Sequence, residues 1–110
     1  MKEELLAYLN ERINWHKREQ ARLKVEYRHD EAAHMQIAIN VYGIFLSTYQ
    51  AVKFDPAETL RRFSNIVRTW DESHCTADEH GDEAKRFVEE IKIDRALEII
   101  RRAKELEEKE

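Results

Sequence analysis

The stretch AAHMQIAINVYGIFLSTYQAV, from Ala32 to Val52, contains no Asp, Glu, Lys or Arg. Those four residue types make up 38% of the whole chain, so an uncharged segment of this length needs a physical reason. A membrane span would leave polar side chains such as His34, Gln36 and Asn40 unpaired in hydrocarbon. We therefore expect a helix of a folded bundle that is covered by protein on more than one side.

At about 100° per residue, the apolar side chains of this helix form two stripes on nearly opposite sides. The first is broad enough to pack against the other helices of one chain, and it comprises Met35, Ala38, Ile39, Tyr42, Phe45, Leu46, Tyr49 and Val52. The second stripe consists of Ile37, Val41, Ile44 and Thr48. The sector that remains holds small or uncharged residues, where a solvent-facing helix of this chain would carry Glu and Lys.

The second stripe has no obvious partner within a four-helix chain, and three explanations are open. A two-fold homodimer through this helix is the commonest kind of assembly and needs no unseen molecule. A different protein could cover the stripe, or the helix could lie at the centre of a monomer. We predict the homodimer, with an interface formed by the second stripe together with Gly43 and Ser47, which let two backbones approach closely.

Turn chemistry marks two breaks between helices. Pro56 fits the first position of a helix, Asp55 is a suitable N-cap, and Glu58 is placed to complete a capping box. Gly81 can take the left-handed conformation that ends a helix, and Asp82 can cap the next one. These signals divide the second half of the chain into two helices.

The first half has no comparable break, since Gly43 is its only glycine and it contains no proline. A weak internal repeat in the sequence indicates where a break lies. The residues from Glu3 to Trp15 resemble those from Glu58 to Trp70, and Asp30-Glu31-Ala32 resembles Asp82-Glu83-Ala84. We therefore predict a turn before Asp30, with Asp30 as a helix cap. One continuous helix over the first half is the alternative.

The sequence thus predicts an all-α fold, an antiparallel four-helix bundle built from two similar helical hairpins. The short connections require consecutive helices to be antiparallel. The predicted helices span residues 2–27, 31–53, 56–79 and 83–108 of a single domain, 1–110, with hairpin 1 at 1–54 and hairpin 2 at 55–110.

Charge and cysteine content restrict the class of protein. The net charge is −4 and basic residues are interleaved with acidic ones, so we expect no nucleic-acid partner and no membrane attraction. The single Cys75 cannot form an internal disulfide, and the N-terminus becomes acidic at Glu3 where a secretory signal would be apolar. We therefore expect a cytoplasmic protein.

One end of the predicted bundle collects potential metal ligands. Glu31-x-x-His34 and Asp71-x-x-His74 each put a carboxylate and an imidazole on one helix face, as carboxylate-bridged di-metal bundles do, and Cys75 and His80 lie nearby. The set would suit zinc, or iron in a redox protein. Such ligands usually lie at mid-helix, however, and acidic residues at helix starts commonly serve as caps. Metal binding is therefore the alternative function, and no catalytic residue is assigned.

The core stripe predicted for helix 1 contains one histidine. The stripe comprises Leu6, Leu9, Ile13, His16, Gln20, Leu23 and Tyr27. A histidine in such a position is more often a packed side chain, bonded to a hydroxyl or an amide, than a catalyst. We expect His16 to face Val41 and Tyr42 of the next helix.

The segment DEAAHMQIAINVYGIF, from Asp30 to Phe45, resembles a segment of small uncharacterised helical proteins of anaerobic gut Firmicutes. The resemblance rests on the Asp-Glu-Ala turn and on Asn-Val-Tyr-Gly-Ile-Phe at 40–45, and it covers the first half of the chain. It implies a small cytoplasmic bacterial protein without assigning any functional residue. The function we predict from the residues is a non-enzymatic, self-associating interaction module with helix 2 as its interface.

Overall fold

A computed structural model of the chain describes residues 1–109, and its four helices lie close to the predicted ones. They are α1 (Lys2–Val25), α2 (His29–Ala51), α3 (Pro56–Glu79) and α4 (Glu83–Glu108). Within residues 1–109 there is no strand. The all-α bundle is confirmed, and so is the break between the first two helices.

All three helices that precede a connection end in the same backbone geometry, and the α2–α3 connection has a further residue with positive φ, 64° at Phe54. The residue after each helix cap has a positive φ: 60° at Tyr27, 54° at Lys53 and 68° at Gly81. The next N–H then reaches back over the last helical turn, as in the 2.9 Å bond from Arg28 N to Leu23 O. The equivalent bonds from residues 54 and 82 are 3.1 and 2.9 Å long. Each connection is therefore a Schellman motif, although only one of the three has glycine at its left-handed position.

The caps predicted for α3 and α4 are confirmed. Asp55 Oδ2 accepts the backbone N–H of Glu58 at 2.8 Å, and Asp82 Oδ1 accepts the N–H three residues later at 3.1 Å. The prediction that the Glu58 side chain completes the capping box is wrong. Hydrogen bonds from Arg61 and Arg62 engage the Glu58 carboxylate instead and lower its pKa to about 2.

The cap predicted for α2 is also wrong. The helix begins at His29, its N-cap Arg28 makes no side-chain cap bond, and Asp30 lies in the first turn. The chain reverses two residues earlier than the repeat indicates, because Tyr27 takes the left-handed conformation that Gly81 takes in the second hairpin. Tyr27 was also predicted in the core, but its side chain is 82% exposed.

The bundle is flattened. α1 packs along α2, α3 packs along α4, and the two hairpins meet chiefly through α2 and α4. Within residues 1–109, no Cα atom of α1 lies within 8 Å of a Cα atom of α3. The molecule measures 42 × 37 × 21 Å, and its radius of gyration is 15.0 Å, against about 13 Å for a compact domain of similar length. α2 therefore contacts all three other helices and still keeps one face at the surface.

The four helices share one hydrophobic core, and the first stripe of α2 supplies its centre. Tyr42, Phe45 and Tyr49 of that stripe are completely buried. The Phe45 ring packs against Phe63 and Trp70 of α3, with centroid distances of 4.6 and 6.0 Å. The side chains that α1 and α4 add to this core include Leu5, Leu9, Ala96, Ile99, Ala103 and Leu106.

Candidate functional site

Five of the six predicted interface residues lie on the outer side of α2. Ile44 is the most exposed apolar side chain among them, with 44% of its surface accessible. Asn40, which was not predicted, completes the surface that they form. We define the α2 ridge as Ile37, Asn40, Gly43, Ile44, Ser47 and Thr48, of which none is charged and all are exposed or half-buried.

Val41 is the sixth predicted interface residue, and it is only 1% exposed. It belongs to the hydrophobic core and lines the same groove as Val88 of α4. The expectation that the whole second stripe lacks a partner within the chain is therefore wrong at Val41. The physical reason is that the hairpins meet through α2 and α4, so that α4 covers this part of the stripe.

A groove runs along each side of the α2 ridge. The groove on the α1 side has a volume of about 810 Å³ and is lined by Ile13 and Lys17 of α1. The groove on the α4 side has a volume of about 240 Å³ and is lined by Val88 and Lys92 of α4. Because Ile44 lines both grooves, α2 stands between them as a raised strip.

The structure brings together three of the six predicted metal ligands. Asp71, His74 and Cys75 each offer a ligand atom, and these atoms all lie within 4.8 Å of one another. The three residues occupy positions i, i+3 and i+4 of α3, which share one helix face. Asp71 and Cys75 are exposed, whereas His74 is half-buried against α4, where its Nε2 lies 3.1 Å from Glu90 Oε1.

The other three predicted ligands lie elsewhere. Glu31 pairs with Arg28 at the start of α2. His34 packs edge-to-face on Phe87 of α4, with ring centroids 5.2 Å apart. His80 is the exposed C-cap of α3. His34 and His74 contact different residues of α4, and among residues 1–109 the ligands predicted on α2 do not join those on α3.

His16 is 3% exposed and contacts Tyr42, as predicted, with ring centroids 5.1 Å apart. Its hydrogen-bond partner differs from the predicted hydroxyl or amide, because Nδ1 lies 2.7 Å from the backbone oxygen of Arg12. Burial lowers the pKa of His16, and the charges of Arg12 and Arg95 act in the same direction. Because a carbonyl oxygen can only accept a hydrogen bond, Nδ1 of His16 carries the proton and donates it to Arg12 O.

A cavity of about 220 Å³ adjoins His16 between α1, α2 and α4. His34, Met35 and Phe87 also line it. Among residues 1–109, no Ser, Thr, Cys or Lys side chain does so. Asp94 and Arg95 of α4 complete the charged part of the cavity lining.

A polar cluster around Glu98 was not anticipated from the sequence. The Glu98 carboxylate accepts hydrogen bonds from Tyr8 at 2.7 Å and Tyr42 at 3.1 Å, and it lies 3.6 Å from Arg12 Nε and 3.3 Å from an Arg95 nitrogen. Burial alone would raise the pKa of Glu98, but these partners outweigh burial and the pKa lies below its usual value. The available signal was the two tyrosine hydroxyls on buried helix faces, each of which required a partner.

The class of protein defined by this fold and these surfaces is a helical bundle with an uncharged exposed ridge. No family model matches the chain, and neither a curated protein nor a solved structure does. Across residues 1–109, none of the helices has the length and apolarity required to cross a membrane.

Proposed function

We propose that the protein is a non-enzymatic helical interaction module that self-associates into a two-fold dimer through the α2 ridge. The observation that carries the proposal is the exposed, uncharged ridge in a chain of which 38% is charged. A helix face that remains exposed to solvent would be expected to carry charged side chains like those on α1 and α4.

The shape of this surface supports a second copy of the same chain as the partner. The ridge is raised and has a groove on each side, so one face offers both a protruding and a receiving element. Helices pack by inserting the ridges of one into the grooves of another. A two-fold axis near α2 allows each copy to place its ridge in a groove of the other, which is the self-complementarity that a two-fold dimer requires.

The chemistry of the α2 ridge suits close contact with its own copy. A Cβ at Gly43 would meet no atom within 4 Å, so the surface above this glycine is open to an approaching backbone. The Thr48 hydroxyl already donates to Ile44 O at 2.8 Å and needs no further partner for its proton. The ridge itself contributes no ionised group to such a contact. The charged side chains beside it are Lys17 and Lys92, one in each flanking groove.

The dimensions of the molecule are sufficient for a stable interface. α2 has 23 residues and is therefore about 35 Å long. The broad side of the molecule measures 42 × 37 Å, which can accommodate the roughly 800 Å² per partner of a standard protein interface.

We also infer a cytoplasmic location, as the composition predicts. Cys75 is a free, exposed cysteine. A lone exposed thiol is compatible with a reducing compartment, because it would be prone to oxidation in a secretory one.

The test of the dimer is the substitution Ile44→Glu, with Leu97→Glu as a matched control. Both side chains are exposed apolar residues, but Leu97 lies on α4 outside the α2 ridge. A charge at position 44 would be buried unpaired in the dimer, so we expect its dissociation constant to rise by roughly 30-fold or more. The mass in solution is measured by light scattering and sedimentation over a range of concentrations.

The expected pattern is a dimeric wild type, a monomeric Ile44→Glu variant and a dimeric Leu97→Glu variant. Circular dichroism and thermal unfolding should show that both variants keep their helices. A wild type that is monomeric at every concentration would overturn the proposal, and so would dissociation that is equally strong in both variants.

A further inference from the structure

We propose that Asp71, His74 and Cys75 form a binding site for a single divalent cation of the zinc class on the side of α3 that borders α4. The site is separate from the α2 ridge. The starting observation is that an oxygen, a nitrogen and a sulfur ligand lie within 4.8 Å of one another.

The helix already supplies most of the geometry. In a tetrahedral zinc site with bonds of about 2.0–2.3 Å, neighbouring ligand atoms are about 3.5 Å apart. The ligand atoms of Asp71, His74 and Cys75 now lie within 4.8 Å of one another, so rotation of the side chains can bring them to that distance. Because all three ligands belong to α3, metal binding requires no change in how the helices pack.

Glu90 of α4 supplies a fourth group. Its Oε1 lies 3.1 Å from Nε2 of His74, so its carboxylate can orient the imidazole or bind the cation beside it. Carboxylates in contact with a ligating histidine commonly strengthen metal binding. The positive charge of Arg86 opposes cation binding here, since Arg86 lies 3.9 Å from the same Glu90 oxygen and 3.1 Å from Asp78.

The donor types select the class of metal. A thiolate with an imidazole and a carboxylate suits zinc and similar transition metals, whereas magnesium and calcium prefer oxygen ligands alone. Binding replaces the proton on Cys75 by the cation, so that one S–H bond breaks, one metal–sulfur bond forms and one proton passes to solvent. Asp71 and the Cys75 thiolate then balance the two positive charges of the cation.

The test is a titration of the full-length, reduced protein with Co²⁺, after any affinity tag has been removed. Cobalt reports on its ligands through a thiolate-to-metal absorption band and through visible bands typical of tetrahedral coordination. We expect one cation per chain. The thiolate band should vanish in Cys75→Ser, and the affinity should fall at least tenfold in Asp71→Asn and in His74→Gln. Added Zn²⁺ should displace the cobalt, whereas added Mg²⁺ should not.

Two matched controls test whether cobalt binds at the cluster or at any histidine of the chain. His34→Gln and His80→Gln remove histidines outside the cluster and should leave the affinity unchanged. Glu90→Gln should weaken binding by about 10- to 100-fold. Arg86→Gln should strengthen it, since a nearby positive charge is removed.

Three results would overturn the site: no thiolate band in the wild type, one cation shared by two chains, or unchanged binding in Cys75→Ser. The outcome is independent of the proposed dimer, because Ile44→Glu should bind cobalt as the wild type does.

Discussion

Tyr27 and Lys53 occupy backbone positions that glycine usually holds. Their φ angles are 60° and 54°, close to the 68° of Gly81 at the equivalent position of the third connection. A side chain with a Cβ is disfavoured in this conformation by about 1–2 kcal/mol. The Tyr27 side chain is exposed, so it buries little surface that would offset this strain.

Tyr27→Gly should therefore stabilise the protein. We expect the free energy of unfolding to rise by about 0.5–1 kcal/mol, because the relief of strain is partly offset by the greater freedom of glycine in the unfolded chain. Urea denaturation followed by circular dichroism measures the change. The reverse substitution, Gly81→Ala, is the matched control and should lower stability by a similar amount. A loss of stability in Tyr27→Gly would show that the tyrosine side chain contributes more than its exposure indicates.

At the scale of the helices, the sequence predicts best where local chemistry decides the structure. α3 and α4 begin where Asp55 and Asp82 indicated, because a cap needs only a side-chain oxygen and the N–H three residues later. The start of α2 was misplaced by two residues, because Tyr27 adopts a conformation for which tyrosine gives no sequence signal.

For the candidate surfaces too, the sequence predicts features of a single helix and misses features that depend on how the helices pack. The uncharged character of α2 and the i, i+3, i+4 spacing on α3 are properties of single helices, and both could be predicted. The burial of Val41 and the contact of His74 with Glu90 depend on how the two hairpins and their helices dock. No pattern within one helix contains that information.

The two confirmed caps lead to a direct prediction about helix stability. Asp55→Ala and Asp82→Ala should each lower the free energy of unfolding by about 1 kcal/mol, because each leaves a helix N–H without its partner. Asp30→Ala serves as the control, since Asp30 lies inside the first turn of α2, and it should cost clearly less. Urea denaturation of the three variants under identical conditions provides the measurement. Equal losses in all three would contradict the cap assignments.

At the scale of the whole molecule, the flattened packing explains why one helix can be central and exposed at once. α2 contacts every other helix, but a layer 21 Å thick has no further helix to cover its outer face. The α2 ridge and the Asp71–His74–Cys75 cluster belong to different hairpins. Self-association and metal binding are therefore open to separate tests.

The contact between the hairpins includes the polar cluster around Glu98. This carboxylate on α4 bonds to Tyr8 of α1 and Tyr42 of α2, so it links both helices of the first hairpin to the second. Its pKa is depressed in the folded protein, which means that folding favours its charged form. The cluster therefore stabilises the folded state at pH values above the unfolded pKa of about 4.3. This contribution is lost as the pH falls through the lower, folded pKa.

Glu98→Gln should consequently weaken the protein at pH 7 and make it less sensitive to acid. At pH 7 we expect a loss of about 1 kcal/mol or more, because the charged carboxylate that Tyr8, Arg12 and Arg95 contact becomes a neutral amide. Urea denaturation at pH 7 and at a pH below 4 should show a smaller acid-induced loss in the variant than in the wild type, since the variant has no carboxylate to protonate there. Glu105→Gln is the matched control, because Glu105 is an exposed carboxylate on the same helix whose partner among residues 1–109 is Arg102, and it should follow the wild type at both pH values. Parallel stability changes in wild type and Glu98→Gln between the two pH values would show that Glu98 does not couple the docking of the hairpins to pH.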